Sequence, residues 1–385
     1  MPNCWNTEVP KLPKRDLYMY ITIPATPAIL VIGQFITALQ SGKYDPDKTA
    51  LILFQTGGGC RASNYIFLLR KALERAGYGQ VPVISFSFSG LEKHSGFKLS
   101  VPFVHRMFYA VIYGDILMSL ANQCKPYEIN RGDSERLALR LCSELAHGFE
   151  REGVSFKKVK RNIARIIDEF DKIPRIKTDK VKVGVVGEIY VKYSPLGNNN
   201  LEQFLVDEGA EVVVPGLLDF CLYTTVSMVS DYKMYGMKFI TYLIGKIAYR
   251  VFEKQQREII DLVKNDGRFD AATPIAHTMS LIKEYMSVGT KMGEGWLLPA
   301  EMLELNDTGV HNIICTQPFG CLPNHICGKG MMKPLKDKNP DMNIVAIDYD
   351  AGATRVNQEN RIKLMLANAK VTPADTKKTD NAVTV

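Results

Sequence analysis

Residues 181–214 read VKVGVVGEIYVKYSPLGNNNLEQFLVDEGAEVVV. Val181–Tyr190 is dominated by valine and glycine and has no clean apolar/polar alternation, so it predicts a strand buried on both faces. Asn199–Glu208 follows as a helix. Glu211–Val214 follows as a second strand that stops at Pro215-Gly216. Two strands joined by a helix lie parallel, because a tight hairpin cannot reverse the chain there.

The same alternation continues in both directions. Upstream, Ala28–Ser41 predicts a helix closed by Gly42, and Thr49–Phe54 (TALILF) predicts a strand. Ala62–Ala76 reads as a helix stopped by Gly77, and Val81–Phe88 (VPVISFSF) as a strand. Helices are expected over Val101–Gln123, Ser134–Gly148 and Val154–Phe170. Downstream, a long helical region spans Lys233–Lys264. It leads to a strand at His311–Thr316, a helix at His325–Lys336, a strand at Asn343–Ile347 and a closing helix at Arg355–Ala369. The expected fold is α/β, with two Rossmann-like (flavodoxin-like) lobes whose parallel sheets are covered on both faces. The first lobe is expected over 28–150, a helical connector over 151–180 and the second lobe over 181–370. Residues 1–27 are atypical, and 371–385 are too polar to build a core.

Composition narrows the function. The chain has 385 residues, 46% of them hydrophobic, with 48 Lys+Arg against 41 Asp+Glu and a formal net charge of +7. That composition excludes a wholly disordered chain. The densest basic cluster, Lys157 to Arg165, lacks interleaved aromatics and reads as a solvated helix face, so nucleic acid is not expected as a partner. No apolar run reaches the roughly 18 residues needed to cross a bilayer, and the N-terminus lacks a secretory pattern. A cytoplasmic protein without membrane contact is expected. The eight cysteines are spread without any CxxC pair, which argues against a disulfide framework and against a tetrahedral zinc site.

Two turns at strand ends carry the chemistry. The first, Gln55-Thr56-Gly57-Gly58-Gly59-Cys60-Arg61, lets backbone N–H groups approach a ligand and sets Cys60 near a helix N-terminus. Local chemistry admits a cluster thiolate, a phosphate cradle or a tight turn around a buried thiol. Neither the phosphate-loop nor the dinucleotide glycine pattern is present. The second turn, Thr316-Gln317-Pro318-Phe319-Gly320-Cys321-Leu322-Pro323-Asn324-His325, makes Cys321 its prime residue. A capping or core role is the plainer reading of His325, and a ligand or proton donor the sharper one. Cys315 and Cys327 read as packing residues held in reserve. Glu188, at the end of the strand opening this second half, could orient a substrate or a cluster ligand, or serve only in a cap network. The loops Ser89–Lys93 and Gly293-Glu294-Gly295-Trp296 are expected to line the same cleft.

With these strings in place, a resemblance emerges. QTGGGCRASNYIFLLRKALERAG, PVISFSFSGLEKHSGFKL, VGVVGEIYVKYSPLGNNNLEQFLVDEGAEVVVPGLLDF, GEGWLLPAEM and TQPFGCLPNHICGKGMMK together resemble one family. It is the carboxy-terminal region of large 2-hydroxyacyl-CoA dehydratase activase-related proteins, itself similar to dehydratase subunits and to double-cubane iron–sulfur cluster proteins. The resemblance runs from about Ala28 to Ala369. It implies a cytoplasmic protein of anaerobic metabolism holding a 4Fe–4S or double-cubane iron–sulfur cluster. In this chain it implies Cys60 and Cys321 as metal ligands and Gly57, Gly58, Gly59 and Gly320 around the cofactor, with Glu188 and His325 assisting. The electrons would come from an ATP-dependent activase of the ASKHA type. They would serve a reductase or a lyase acting on a 2-hydroxyacyl-CoA, and a dimer is compatible with either. No ATP site is read in this chain. A cluster-free interaction module is the contrasting expectation.

The start departs from the family pattern. An Asn-Asn-x-Cys-Tyr-Pro-like turn is replaced by Thr22-Ile23-Pro24-Ala25-Thr26-Pro27. Those six residues can be encoded so that the neighbouring frame reads Asn-Asn-Pro-Cys-Tyr-Pro. Residues before about Ala28 are therefore expected to be out of frame, which would account for the missing third cysteine.

Overall fold

The computed structural model describes residues 26–54, 61–86, 100–151, 154–176, 178–350 and 352–371. Cys4, the Gly57–Cys60 turn, the Ser89–Lys93 loop and the residues expected to be out of frame up to position 25 lie outside the described residues.

The architecture is α/β with two parallel sheets. In the first, β1 (Leu51–Phe54) pairs with β2 (Val83–Phe86), Leu51 standing opposite Val83. Helices α1 (Thr26–Gln40) and α2 (Tyr65–Arg75) cover it. Their apolar faces, Ile29, Ile32 and Ile36 from α1 and Leu69 and Leu73 from α2, close a small core with Leu51 and Val81.

The second sheet has four parallel strands in the order β4 (Glu211–Val213), β3 (Lys182–Gly187), β5 (Asn312–Pro318), β6 (Asn343–Tyr349). Its side chains alternate between two layers, as a pleated strand requires. Val186, Ile313, Cys315, Ile344 and Ala346 enter the large core on one face. Val183, Val185, Ile314 and Ile347 enter the core on the other, beneath α7 (Leu201–Asp207) and α13 (Arg355–Val371). Helices α3 (Val101–Cys124) and α4 (Asp133–Arg151) fall in the stretch expected as the first lobe, and α5 (Phe156–Asp171) in the expected connector. They contribute Ile112, Leu120, Leu141, Ile163 and Phe170 to the same large core as this sheet.

The structure differs from the sequence reading in several elements. The single helical stretch expected over Lys233–Lys264 is the end of α8 (Leu217–Tyr235) plus most of α9 (Phe239–Asp266). Gly236 breaks it in the left-handed region, its N–H bonding to Tyr232 O while Met237 N–H bonds to Asp231 O. The strand expected to run through Tyr190 ends at Gly187 and gives way to the short helix α6 (Ile189–Tyr193). The helix expected at His325–Lys336 opens as a π turn, Asn324–Gly328, before α12 (Met332–Lys338). Helices α10 (Ile275–Leu281) and α11 (Leu297–Asp307) were not anticipated. In α11 every residue from Leu297 to Leu305 is buried, so no polar face marks its period.

Candidate functional site

In the second sheet the winding reverses between β3 and β5, and ligands of open α/β sheets bind beyond the carboxyl ends of the strands at such a point. Glu188 and Cys321 both lie there. Gly187 ends β3 with φ +140°, a conformation that favours glycine, and a side chain on it would strike the Thr316 carbonyl. Glu188 N–H donates to that carbonyl at 3.0 Å. The Glu188 carboxylate folds back to cap α6, accepting from Val191 N–H at 2.9 Å.

The Gly293–Trp296 loop reaches this place as expected, although it leads into α11 rather than out of a strand. Glu294 is buried, accepting from Ile189 N–H at 3.2 Å and from Asn324 Nδ2 at 3.3 Å. Asn324, wholly buried at the start of the π turn, also donates Nδ2 to Cys321 Sγ at 3.3 Å. Its backbone N–H bonds to the same sulfur. The Asn324 Oδ1 has no partner among the described residues. His325 holds the turn together, its Nε2 accepting Gly320 N–H at 3.1 Å, which requires a neutral ring at that nitrogen.

Electrostatics decide which groups carry protons. Burial, then the neighbouring Glu294, pushes the Glu188 carboxyl well above the carboxylate range, and Glu294 moves up mainly through its own burial. At neutral pH this pair retains a proton. Burial raises the Cys321 thiol to about 12, with Glu294 and Glu188 adding to the rise and the Asn324 donors opposing it. A bound metal would replace that proton outright. Two N–H donors converging on one sulfur suit a thiolate ligand. Among the described residues no group of three or more His, Cys, Asp and Glu side chains could hold a metal ion. Cys315 sits inside β5, where a methyl on Gly328 would lie 3.0 Å from its sulfur, and Cys327 is buried. Cys321 therefore fits as one ligand of a larger set, not as a complete site.

Two contacts bring the first sheet's elements to this place. The Arg61 guanidinium lies over Gly320, where an added methyl would come within 3.3 Å of Nη1. Gly320 has φ +74°. The Tyr190 hydroxyl donates to Gln34 Oε1 of α1 at 3.4 Å. Arg61 directly follows Cys60 in the chain, and Gly320 directly precedes Cys321.

Behind the site runs a buried ionic network that the sequence reading missed. Lys192 Nζ contacts both oxygens of Glu301 at 2.9 and 3.0 Å, the side chains being 3% and 5% exposed. Asp219 accepts from Gln256 Nε2 at 2.6 Å, and Glu304 from Thr278 Oγ1 at 3.1 Å. Asp115 reaches across from α3 to cap α8, accepting from Leu217 and Leu218 N–H at 2.9 and 2.8 Å. Burial holds the Asp115 carboxyl at about 6 and the Glu304 carboxyl at about 7, while Asp219 and Glu301 are also raised. The Lys192 ammonium also acts on Asp115, Glu294 and Glu304, so four buried carboxyls, Glu301 included, share it.

A concavity of about 530 Å³ opens at the opposite end of the sheet. Its charges are mutually paired, Lys182 with Glu211 and Asp270, Arg175 with Asp171. Among the described residues no helix is long and apolar enough to cross a membrane. No protein-family model matches the sequence, and no curated protein matches it.

Proposed function

We propose that this chain is an iron–sulfur protein of the 2-hydroxyacyl-CoA dehydratase and activase-related kind, receiving low-potential electrons from an ATP-hydrolysing activase. The observation that supports it most is the contact of Arg61 with Gly320. It sets Arg61, the residue that follows Cys60 in the chain, beside the turn carrying Cys321 at the switch point of a parallel sheet. The strand order β4–β3–β5–β6 is that of a flavodoxin-like sheet, which supports the reading for the second lobe.

In this reading Cys60 and Cys321 hold the cluster, with Gly57–Gly59 and Gly320 forming its backbone cradle. Once bound, the cluster would supply single-electron transfer. The chain's own residues do the rest. Asn324 orients the Cys321 sulfur and withdraws charge from it through two N–H groups. Arg61 places a cation against Gly320, beside the turn that carries Cys321. Glu188 and Glu294 keep a proton beside the thiolate, and His325 fixes the turn by accepting Gly320 N–H.

Anaerobic reconstitution with iron and sulfide, followed by iron and acid-labile sulfide analysis, tests the assignment. Cys60→Ser and Cys321→Ser should each lose most of the bound iron, whereas Cys315→Ser should keep it. Full retention in both of the first two variants overturns the ligand assignment. A protein that takes up no cluster at all supports the interaction-module reading instead.

A dehydratase-type lyase is the second reading, favoured by Glu188. A carboxyl that stays protonated near neutrality can donate to a departing hydroxyl. Turnover of a 2-hydroxyacyl-CoA in the presence of an activase selects it over a reductase.

A further inference from the structure

Among the described residues, the α8–α9 hairpin leaves an apolar face without a partner. In the first half of α9 only Gly245 is buried, where a methyl would come within 2.7 Å of Met228 Cβ on α8. The opposite side carries Ile240, Ile244, Ile247 and Val251, which are 59%, 54%, 56% and 40% exposed. Phe239 and Tyr235 extend this stripe at the hairpin tip, each 60% exposed. In all, ten apolar side chains between residues 232 and 251 stand 38–60% exposed. Taking each as roughly half of a large side chain's surface, they offer on the order of 900 Å². The largest apolar patch on an ordinary monomer is about 300–600 Å², and a stable interface needs about 800 Å² from each partner.

We propose that this face binds a second copy of the same chain through an antiparallel α9–α9 contact about a two-fold axis. The spacing of the stripe carries the choice of occupant. Positions 240, 244, 247 and 251 are separated by 4, 3 and 4 residues, a palindrome. Reversing the helix lays Ile240 on Val251 and Ile244 on Ile247, which is the self-complementarity an isologous contact requires. The same register brings Lys254 toward Met237, at the aromatic cluster Tyr232, Phe239 and Tyr242. A parallel arrangement would instead stack Arg250 on Arg250 and Lys254 on Lys254.

Sedimentation equilibrium of the full chain at micromolar concentration tests the proposal, with 43.2 kDa expected for the monomer and twice that for the dimer. The wild type should be dimeric. Ile244→Glu and Ile247→Glu, each counted twice across the axis, should weaken association by about 100-fold or more. Both positions face solvent in the single chain, so far-UV circular dichroism should be unchanged. Amide exchange over residues 237–251 should slow as the wild-type concentration rises, a readout independent of any variant. A monomer at all concentrations overturns the proposal, as does a dimer that both variants leave intact. A monomer captured on vesicles of anionic phospholipid would assign the face to a membrane surface and equally overturn it.

Discussion

A carboxyl that binds its proton more tightly in the folded than in the unfolded chain makes stability fall as pH rises. Glu188 is the clearest case, pushed up to about 8 by burial and by Glu294 against an ordinary value of 4.5. Below about pH 4.5 the group is protonated in both states and contributes no difference. Between about 4.5 and 8 the folded chain keeps a proton that the unfolded chain releases, at about 1.4 kcal/mol per pH unit. From pH 5 to pH 7 the loss integrates to about 2.5 kcal/mol from this one group. Glu188→Gln retains an oxygen for Val191 N–H, so the cap on α6 survives while the titration disappears. The variant should therefore gain stability over the wild type by about 2.5 kcal/mol on going from pH 5 to pH 7. At a urea slope of about 3 kcal/mol per molar, the gap between midpoints widens by about 0.8 M. Contributions of Asp115 and Glu304 cancel in the difference, since both proteins carry them. A gap that stays constant with pH, or that narrows as pH rises, would refute the assignment of a retained proton to the Glu188–Glu294 pair.

Three further outcomes follow from the same structure. Lys192→Met strands the buried Glu301 carboxylate and should cost about 3–5 kcal/mol by urea unfolding, a cost that shrinks on acidification as Glu301 takes up a proton. Adding Glu301→Leu should recover most of it, and a double variant as unstable as the single one would contradict the pairing. Gly187→Ala forces a methyl onto the Thr316 carbonyl at a φ of +140° and should lose at least about 2 kcal/mol, read from the thermal midpoint. The codons for Thr22–Pro27 should read Asn-Asn-Pro-Cys-Tyr-Pro in the neighbouring frame, and a coding sequence without that hexapeptide dismisses the out-of-frame origin of this segment.

What could be read in the sequence is what depends on local chemistry. Val183–Gly187 is apolar throughout because the strand is covered on both faces, and the glycine at its end marks where the chain must turn sharply against β5. Glu188 and Cys321 each follow a strand and a glycine in the left-handed or near-left-handed region, so their position at the sheet's carboxyl edge follows from a few neighbouring residues. Helix α8 was hidden because LLDFCLYTTVSMVS carries apolar and small side chains on all sides, which blurs the 3.6-residue period in the sequence even though burial keeps it at Leu218, Leu222 and Val226. The ionic network was hidden for a deeper reason. Glu301 and Glu304 sit three residues apart on LLPAEMLEL, a spacing that on an ordinary surface helix puts both carboxylates in water. Glu301 is held by Lys192, 109 residues away in the chain, and Glu304 by Thr278 from another helix. An isolated buried carboxylate would be prohibitively costly, so α11 can bury its glutamates only with α6 and α10 packed against it. Helix α6, through the Ile189 N–H, also holds Glu294 just ahead of α11, beside Asn324 and the Cys321 sulfur. The protonation state of the candidate site is thus set by packing that closes behind it, and no window of sequence around Cys321 contains that information.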